Sequence, residues 1–584
     1  MDIELDIEDI EFKQLTENQK ILHLPKLSKE EEKIVDPIVA PTSGLRIQIF
    51  DVDEHDGKFK YTLTRRKLFL FLRLFKAISV KFKEIKKNEN LKVLIFTDDR
   101  PSSKILLDYS SQIFANDGFE LYYQDDLDGK SRISSPYGSA SVALYEDIDL
   151  VIVLTASHNE LSWNGIKFYI NYPIPISGDL FKDVSKIALT ITDIKLRTKY
   201  DPIKIDAIKK NNDYILDLLS NIINIENIQD SNIIIWPYLG KAEGILRLFR
   251  RLGANITLIE ETINPPNPIK KVKEKKLQKI MKETKSNIAL LLDADRDRIA
   301  LYVKQNGKYY TFIPNEIYSA MHNILARVYG KKIINVRTVP SDLRGDETSF
   351  LNILTGVGYK HLGIILYFLF DIEVDQSKIN SALLYMEGDE RELIQIDEPE
   401  PLKEMILQEM EENGIDNAKF VVVMWEESGG HTLNILDVEK DETSNEFKFS
   451  TNLPLIADKY PVPALVIITE LLASGHQIPK AIDWSIKGIN RTIDATDEQK
   501  VKIMKEFEKN DGKELKIDEN TYDIKGLYDN NGNIDIYQLK SSNSTLYFRP
   551  SGTGPNVRFY IFGDRETYLN EIKAVMRFVK ENYA

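Results

Sequence analysis

Four short polar stretches carry residue types that could do chemistry together. The first is TASHN at 155–159, in which Ser157 offers a hydroxyl nucleophile and His158 a neighbouring base; NGIK, a few residues on, adds Lys167. An unassisted serine is a weak nucleophile, so it needs a group to take its proton and a charge to steady the group it attacks. Spacing does not choose between His158 and Lys167. The second stretch is DADRDR at 293–298, where Asp293, Asp295 and Asp297 alternate. A tight turn can aim three such carboxylates at one point, and hard oxygen donors of this kind suit Mg²⁺ with positions left open for phosphate oxygens or water. The plainer alternative is an exposed acidic turn paired with Arg296 and Arg298.

The third stretch, EESGGH at 426–431, combines Glu426, Ser428 and His431 in a glycine-rich turn, a set that can read vicinal sugar hydroxyls. The fourth, RPSGTGPNVR at 549–558, has the composition of a phosphate cradle. Gly552 and Gly554 let backbone N–H groups curl around an anion, Ser551 and Thr553 add hydroxyl donors, and Arg549 and Arg558 add guanidinium forks. Together the four describe phosphoryl transfer to and from a phosphorylated polyol.

The elements behind these stretches share one form. DLVIVL precedes TASHN, NIALLL precedes DADRDR, KFVVVMW precedes EESGGH and STLYF precedes RPSGT. An apolar run that stops at a polar loop is a buried strand whose carboxyl end faces a crevice, the place where open α/β sheets put ligand sites. Ser157, Asp293, Glu426 and Arg549 follow one another at nearly even intervals, which suggests one functional loop per domain. Proline- or glycine-marked breaks near 199–208, 312–321 and 475–484 fit that division. The boundaries we draw are an N-terminal extension over 1–36 and domains over 37–205, 206–316, 317–482 and 483–584. Residues 1–36 are charged and lack glycine and a clear period, so they read as an extension, in part disordered.

With 584 residues the chain exceeds one hydrophobic core. Its composition, 42% hydrophobic and 29% charged, is that of an ordinary globular α/β protein. The absence of cysteine removes disulfides, thiol catalysis and cysteine-ligated metal. A formal charge of −14 argues against nucleic acid as a partner. No apolar run reaches membrane-spanning length and the N-terminus lacks a secretory pattern, so the expected location is cytoplasmic, with no membrane partner. KLFLFLRLFKAISVKF at 67–82, with Arg73, Lys76 and Lys81 among its aromatics, could lie on a membrane surface, but reads better as a core helix with the basic residues on its wet face.

These motifs, in this order, resemble the α-D-phosphohexomutase superfamily, which includes phosphoglucomutase and phosphomannomutase; the resemblance covers roughly residues 38–584. It implies four α/β domains around a central cleft, three similar mixed-sheet domains and a smaller two-layer C-terminal one. It makes Ser157 the phosphate carrier and Lys167 the general base. Asp293, Asp295 and Asp297 become Mg²⁺ ligands alongside the phosphate on Ser157, with Arg298 beside the reacting group. Glu426 and Ser428 meet sugar hydroxyls, and RPSGT with Arg558 holds the phosphate that is not transferred. PTSGLR at 41–46 resembles the N-terminal signature and nominates Arg46; DDRPSS at 98–103 resembles a neighbouring Asp-x-Arg motif; TGVGYKHLG at 355–363 nominates Lys360. The implied reaction interconverts hexose 1-phosphate and hexose 6-phosphate, with a hexose 1,6-bisphosphate priming the serine and a phosphorylated hexose as partner.

The chain departs from the family at several points. Ala40 and Pro41 replace a usual Phe-Gly, Gly554 a glutamate, Glu160 a frequent proline and Arg296 a small residue, while WPYLGKAEG at 236–244 lacks the Asp and His often found there. A cation at Arg296 would oppose a bound metal. Two rival readings share the same parts: a catalytically silent relative that binds or scaffolds, and a metal-dependent sugar phosphatase.

Overall fold

Three sheets repeat one arrangement, and each places a polar loop at the same point. The computed structural model describes all residues except 1, 38–43, 56, 88–89, 175, 177, 373–381, 387–391, 397–398, 442–443, 445, 529–533, 552–555 and 584. In the first sheet the strand Leu150–Leu154 pairs in parallel with Lys92–Thr97 on one side and antiparallel with Trp163–Ile170 on the other. In the second, Ile288–Leu292 stands between parallel Asn232–Trp236 and antiparallel Ile299–Gln305. In the third, Asn417–Trp425 stands between parallel Lys332–Thr338 and antiparallel His431–Lys440. The loops 155–162, 293–298 and 426–430 thus each leave a parallel-paired strand and turn back along its other edge. All five residues of Leu150–Leu154 and of Ile288–Leu292 are buried, because strands covered on both faces need apolar side chains on both. The C-terminal sheet, Ile486–Asp494 to Asn556–Asp564, is antiparallel throughout, and its hairpin Ser544–Pro550/Asn556–Asp564 carries the fourth loop.

The chain divides into two compact units. The first holds residues up to Ile313 together with Pro454–Ser474, and with them the first two sheets; the second holds the other described residues from Pro314 onward. Segment 454–474, which the sequence reading assigns with 317–482, packs inside the first unit. Its helix Val462–Ala473 is buried almost all round, Tyr460 donates to Asn211 at 2.8 Å, and the Glu470 carboxylate accepts from the backbone N–H of Ile228 at 3.1 Å.

Residues 2–36 are structured within the first unit rather than forming a partly disordered extension. Asp2–Ile7 lies parallel to Lys58–Leu63, Gln19–His23 runs antiparallel to Asp193–Arg197, and Lys29–Val35 starts from a capping box of Ser28 and Glu31. The helix Arg65–Lys86 is a core helix, with Leu68, Phe71, Leu72, Phe75 and Phe82 buried. Arg73 is not on its wet face: it is 3% exposed, and its guanidinium donates to the carbonyls of Pro25 and Ile191, which makes its burial tolerable. Among the described residues, no helix is long and apolar enough to cross a membrane.

Candidate active site

In the first unit, Ser157 occupies the turn after Leu150–Leu154 at φ +51, a left-handed conformation unfavourable for a residue with a side chain. Its backbone N–H donates to Thr155 Oγ1 at 2.9 Å, and Thr155 in turn donates to Asp98 at 2.8 Å. Asp98 also holds Arg100, whose guanidinium donates to the carbonyls of Ser157, Asn159, Glu160 and Trp163. One buried guanidinium therefore fixes four carbonyls of the serine loop. The glycine of NGIK is needed for the same geometry: a Cβ at Gly165 would lie 2.3 Å from the Leu45 carbonyl and 2.6 Å from that of Thr155.

Ser157 is fully buried, and its Oγ lies 3.3 Å from His158 Nδ1, 3.3 Å from Asp293 Oδ2 and 3.4 Å from Asp297 Oδ1. Asp293, Asp295 and Asp297 are all buried and offer oxygens within 4.8 Å of one another. Asp295 Oδ1 has no hydrogen-bond partner among the described residues. Three converging hard donors, one of them unsatisfied, fit a small divalent cation, since an unbalanced buried carboxylate is otherwise costly. The turn is pinned by Ser135 N–H, which donates to the Asp295 carbonyl at 2.9 Å. Burial and the two neighbouring carboxylates push Asp293 well above the usual carboxylate range. Burial acts on Asp297 too, but Lys167, Lys459 and Arg298 outweigh it and hold that group below the range.

Lys167 sits among these groups rather than on the serine. Its Nζ donates to Ser135 Oγ at 2.8 Å and to Asp295 Oδ2 at 3.1 Å, and stands 3.7 Å from Asp297. Burial works against its charge, but Asp295, Asp297 and Asp458 prevail and raise its pKa above the ordinary lysine value. Arg298 donates its backbone N–H to Asp293 and places Nε 3.7 Å from Asp297. Arg46 lies on the edge strand opposite Gly165 and reaches Asn159 at 3.3 Å; burial, then the neighbouring Arg298, lowers its pKa to about 10. Asp458, which accepts from Tyr169 at 3.1 Å, is raised by burial to about 6.

In the second unit the loop 426–430 closes on itself. Glu426 N–H donates to the Gly430 carbonyl at 3.0 Å, Gly429 N–H to the Glu426 carbonyl at 3.1 Å, and Ser428 Oγ to the Glu426 carboxylate. Arg558 lies near this loop electrostatically: burial disfavours its charge, but Tyr560, Glu427 and Glu426 outweigh burial and raise its pKa. Arg549 donates to Asp535 at 3.0 Å and to the Val357 carbonyl at 3.4 Å. Lys360, at the start of the helix Tyr359–Leu369, has a pKa lowered by burial and by Arg549 against the pull of Asp535. Ser551 is held from both sides, its N–H donating to Asn556 and its carbonyl accepting from Lys500 at 3.2 Å. Gly552, Thr553 and Gly554 lie outside the described residues.

His431 is placed differently from its neighbours in EESGGH. It starts a strand rather than ending the loop, is fully buried, and packs against the Tyr318 ring in a tilted arrangement with its Nε2 3.0 Å from His322 Nε2. Arg296 also departs from expectation: its guanidinium is paired with Asp99 at 2.9 Å, so its charge is balanced. The sequence reading missed the supporting roles of Asp98, Arg100, Ser135 and Lys500, and missed Asp458 altogether. For Asp98 and Arg100 the signal was available, since KVLIFT ends at DDRPSS as the other strands end at their loops; Asp458 follows no such run.

Residues 50–195 match the family described as phosphoglucomutase/phosphomannomutase, alpha/beta/alpha domain I. A phosphoglucosamine mutase of Caldicellulosiruptor saccharolyticus is 28% identical over 172 residues, 27% of this chain and 36% of that protein. A phosphomannomutase of Mycoplasma genitalium is 23% identical over 296 residues, 47% of this chain and 53% of its own length. The matched stretches thus span about a third to a half of these relatives. Among solved structures, a putative phosphomannomutase from Thermus thermophilus superposes with a TM-score of 0.59 at 16% identity, over 92% of this chain and 98% of that one. The pp63/parafusin phosphoglucomutase from Paramecium, in an open form, gives 0.57 at 12% identity over 97% of each chain. At these identities the likeness is one of fold.

Proposed function

We propose that the chain is a member of the α-D-phosphohexomutase superfamily, whose domain I model its residues 50–195 match, and that it interconverts hexose 1-phosphates and hexose 6-phosphates through a phosphorylated Ser157 and a hexose 1,6-bisphosphate, with glucose phosphate as the best substrate. The observation that carries this reading is the meeting of a strained, buried serine hydroxyl with three buried carboxylates. Neither half has a use without the other: the serine needs its phosphoryl group neutralised, and the carboxylates need a cation.

Asp293, Asp295 and Asp297 are the residues that would hold Mg²⁺. When bound, Mg²⁺ supplies charge to phosphoryl oxygens without a proton. In the forward half-reaction the bond from phosphorus to Ser157 Oγ breaks with its electron pair going to Oγ, a bond from phosphorus to a substrate hydroxyl oxygen forms, and the proton of that hydroxyl is passed to Ser157 Oγ. His158 Nδ1, within reach of Oγ, holds the proton that restores the serine hydroxyl. Lys167, kept charged by its carboxylate neighbours, faces the transferred oxygens as a cation, with Arg298 and Arg46 adding positive charge. The same groups run the second half-reaction in reverse once the bisphosphate presents its other phosphate. In the second unit, Glu426 and Ser428 take sugar hydroxyls, while Lys360, Arg549, Ser551 and Arg558, with Gly552 and Thr553, hold the phosphate that stays.

The test is to incubate the purified chain with glucose 1-phosphate, Mg²⁺ and glucose 1,6-bisphosphate and to follow isomer formation and inorganic phosphate together. Isomer without phosphate supports the mutase; phosphate without isomer points to a phosphatase; neither points to a binding or scaffolding role.

A further inference from the structure

Arg296 stands where the carboxylate turn bends, at φ +64 and 3% exposed. Its Nη2 donates to Asp99 Oδ2 at 2.9 Å and to the Leu239 carbonyl at 2.7 Å. Asp99 lies between Asp98 and Arg100, the pair that holds the serine loop, and its other oxygen meets Arg132 at 3.5 Å. Gly240 makes room for this carboxylate: a Cβ there would lie 1.9 Å from Asp99 Oδ2. Three strand-end loops therefore meet at one ion pair of a buried arginine and a half-buried aspartate, those following Lys92–Thr97, Asn232–Trp236 and Ile288–Leu292. The pair also forms part of the wall of a cavity of about 340 Å³.

We propose that Arg296 is a positioning residue, and that its ion pair with Asp99 sets the aim of Asp293, Asp295 and Asp297 toward Ser157. The proposal rests on the reading of these three carboxylates as a cation site. It differs in sign from the simple electrostatic expectation. A guanidinium that only repelled the cation would, on removal, let the cation bind more tightly. A guanidinium neutralised by Asp99 and holding the turn in place would, on removal, let the carboxylates disperse and strand Asp99 without its partner. Supports one step behind metal ligands are commonly worth one to two orders of magnitude in affinity.

The experiment uses the full chain with Arg296→Ala, Arg296→Lys, Asp99→Ala and the double alanine variant. Mg²⁺ affinity is measured by calorimetry, and hydrogen exchange is followed at the amides of residues 293–298 without Mg²⁺. Arg296→Ala is expected to bind Mg²⁺ about tenfold more weakly and to exchange faster at 293–298. Arg296→Lys is expected to lie between it and the parent, and the double variant to be no worse than the worse single one, since both residues make one link. Millimolar guanidinium, small enough for the adjoining cavity, is expected to restore part of the loss in Arg296→Ala, which a general loss of folding would not allow. Unchanged exchange in Arg296→Ala, or Mg²⁺ binding as tight as the parent's or tighter, overturns the proposal. If the parent itself binds no Mg²⁺, the cation-site reading has failed, and the exchange data alone still decide whether Arg296 holds the turn.

Discussion

Ser157 Oγ and Asp293 Oδ2 lie 3.3 Å apart although they are 136 residues apart in the chain and follow strands of two different sheets. Each stands at the end of a buried strand that then turns back antiparallel, so the contact is made by two copies of one device facing each other. A hydroxyl buried beside a carboxylate cluster has little structural reason to be there. Its bonds to the carboxylates, at 3.3 and 3.4 Å, are too long to contribute much stability.

Ser157→Ala is accordingly expected to abolish mutase turnover while leaving the melting temperature within a degree or two, roughly what loss of one weak contact costs. Intact mass should show part of the parent protein carrying one phosphate and the variant carrying none. Substantial isomer formation by the variant would remove Ser157 from the mechanism.

Asp295→Asn is expected to weaken Mg²⁺ binding and slow transfer, because an amide keeps the shape of the side chain but gives up its charge. It also removes one carboxylate that holds the Lys167 proton, so the lysine pKa should fall toward its ordinary value. Chelator should silence the parent enzyme and Ca²⁺ should restore it poorly, its longer and looser coordination misplacing the phosphoryl group. Activity indifferent to chelator would rule out the metal assignment.

Arg549→Ala and Arg558→Ala are expected to act mainly on KM. Each removes a charge-assisted contact worth about 1.5–3 kcal/mol, or ~10 to 150-fold. Loss of Arg549 also leaves Asp535 without its 3.0 Å partner, and loss of Arg558 leaves Glu426 and Glu427 less balanced. A fall in kcat at constant KM would place these arginines at the chemistry instead of at the retained phosphate.

The four strands that carry the site loops were legible because strands covered on both faces read as unbroken apolar runs, and because a polar break after such a run marks the sheet end. What fixes those loops was less so. Arg100 gathers carbonyls from 57 to 63 residues away, and no local pattern announces a long-range bond. Asp458 sits beside Tyr169 through a contact spanning 289 residues. The extension 1–36 shows why a strand signal alone is insufficient. The alternation within DIELDI is too short to set a period for the segment as a whole, and its partner, Lys58–Leu63, comes much later in the chain; pairing is what turns so short an alternation into structure. His431 and Ser428 share a motif, yet one faces the core and the other the loop, a difference set by where the strand begins.

The second unit should be acid-labile. His322 and His361 are buried and neutral, with burial lowering each pKa to about 3, and burial lowers His431 well below its ordinary value as well. Unfolded histidine takes up a proton near pH 6.5, whereas these rings resist it down to about 3. Stability is therefore full above pH 6.5, falls as pH drops below it and levels off only below 3, with a loss of about 3 kcal/mol per ring by pH 4. Thermal melts across pH 7.5 to 4 should show the decline, and His322→Gln should flatten it. A parent whose melting temperature holds to pH 4 would mean that these rings ionise in place.

Glucose and mannose differ only at C2. If Glu426 and Ser428 meet the hydroxyls at C3 and C4, they cannot tell the two apart. Their mutual hydrogen bond makes the pair a fixed reader rather than an adaptable one. Galactose, inverted at C4, would leave a buried acceptor unpaired at a cost of about 1–3 kcal/mol, or ~5 to 150-fold in kcat/KM. Relatives named phosphoglucosamine mutase and phosphomannomutase both align with this chain, so glucosamine 1-phosphate belongs in the same comparison. We expect glucose 1-phosphate to be best, mannose 1-phosphate slower, and glucosamine and galactose 1-phosphates poor. The deciding measurement is kcat/KM for the four under one set of conditions, followed by Ser428→Ala. That variant should lose discrimination against galactose more than it loses rate on glucose, because it removes the partner that orients Glu426 and leaves the phosphoryl-transfer groups intact. Galactose matching glucose in the parent would show that Glu426 and Ser428 do not read C4, and a preference for glucosamine would move the selectivity to contacts at C2.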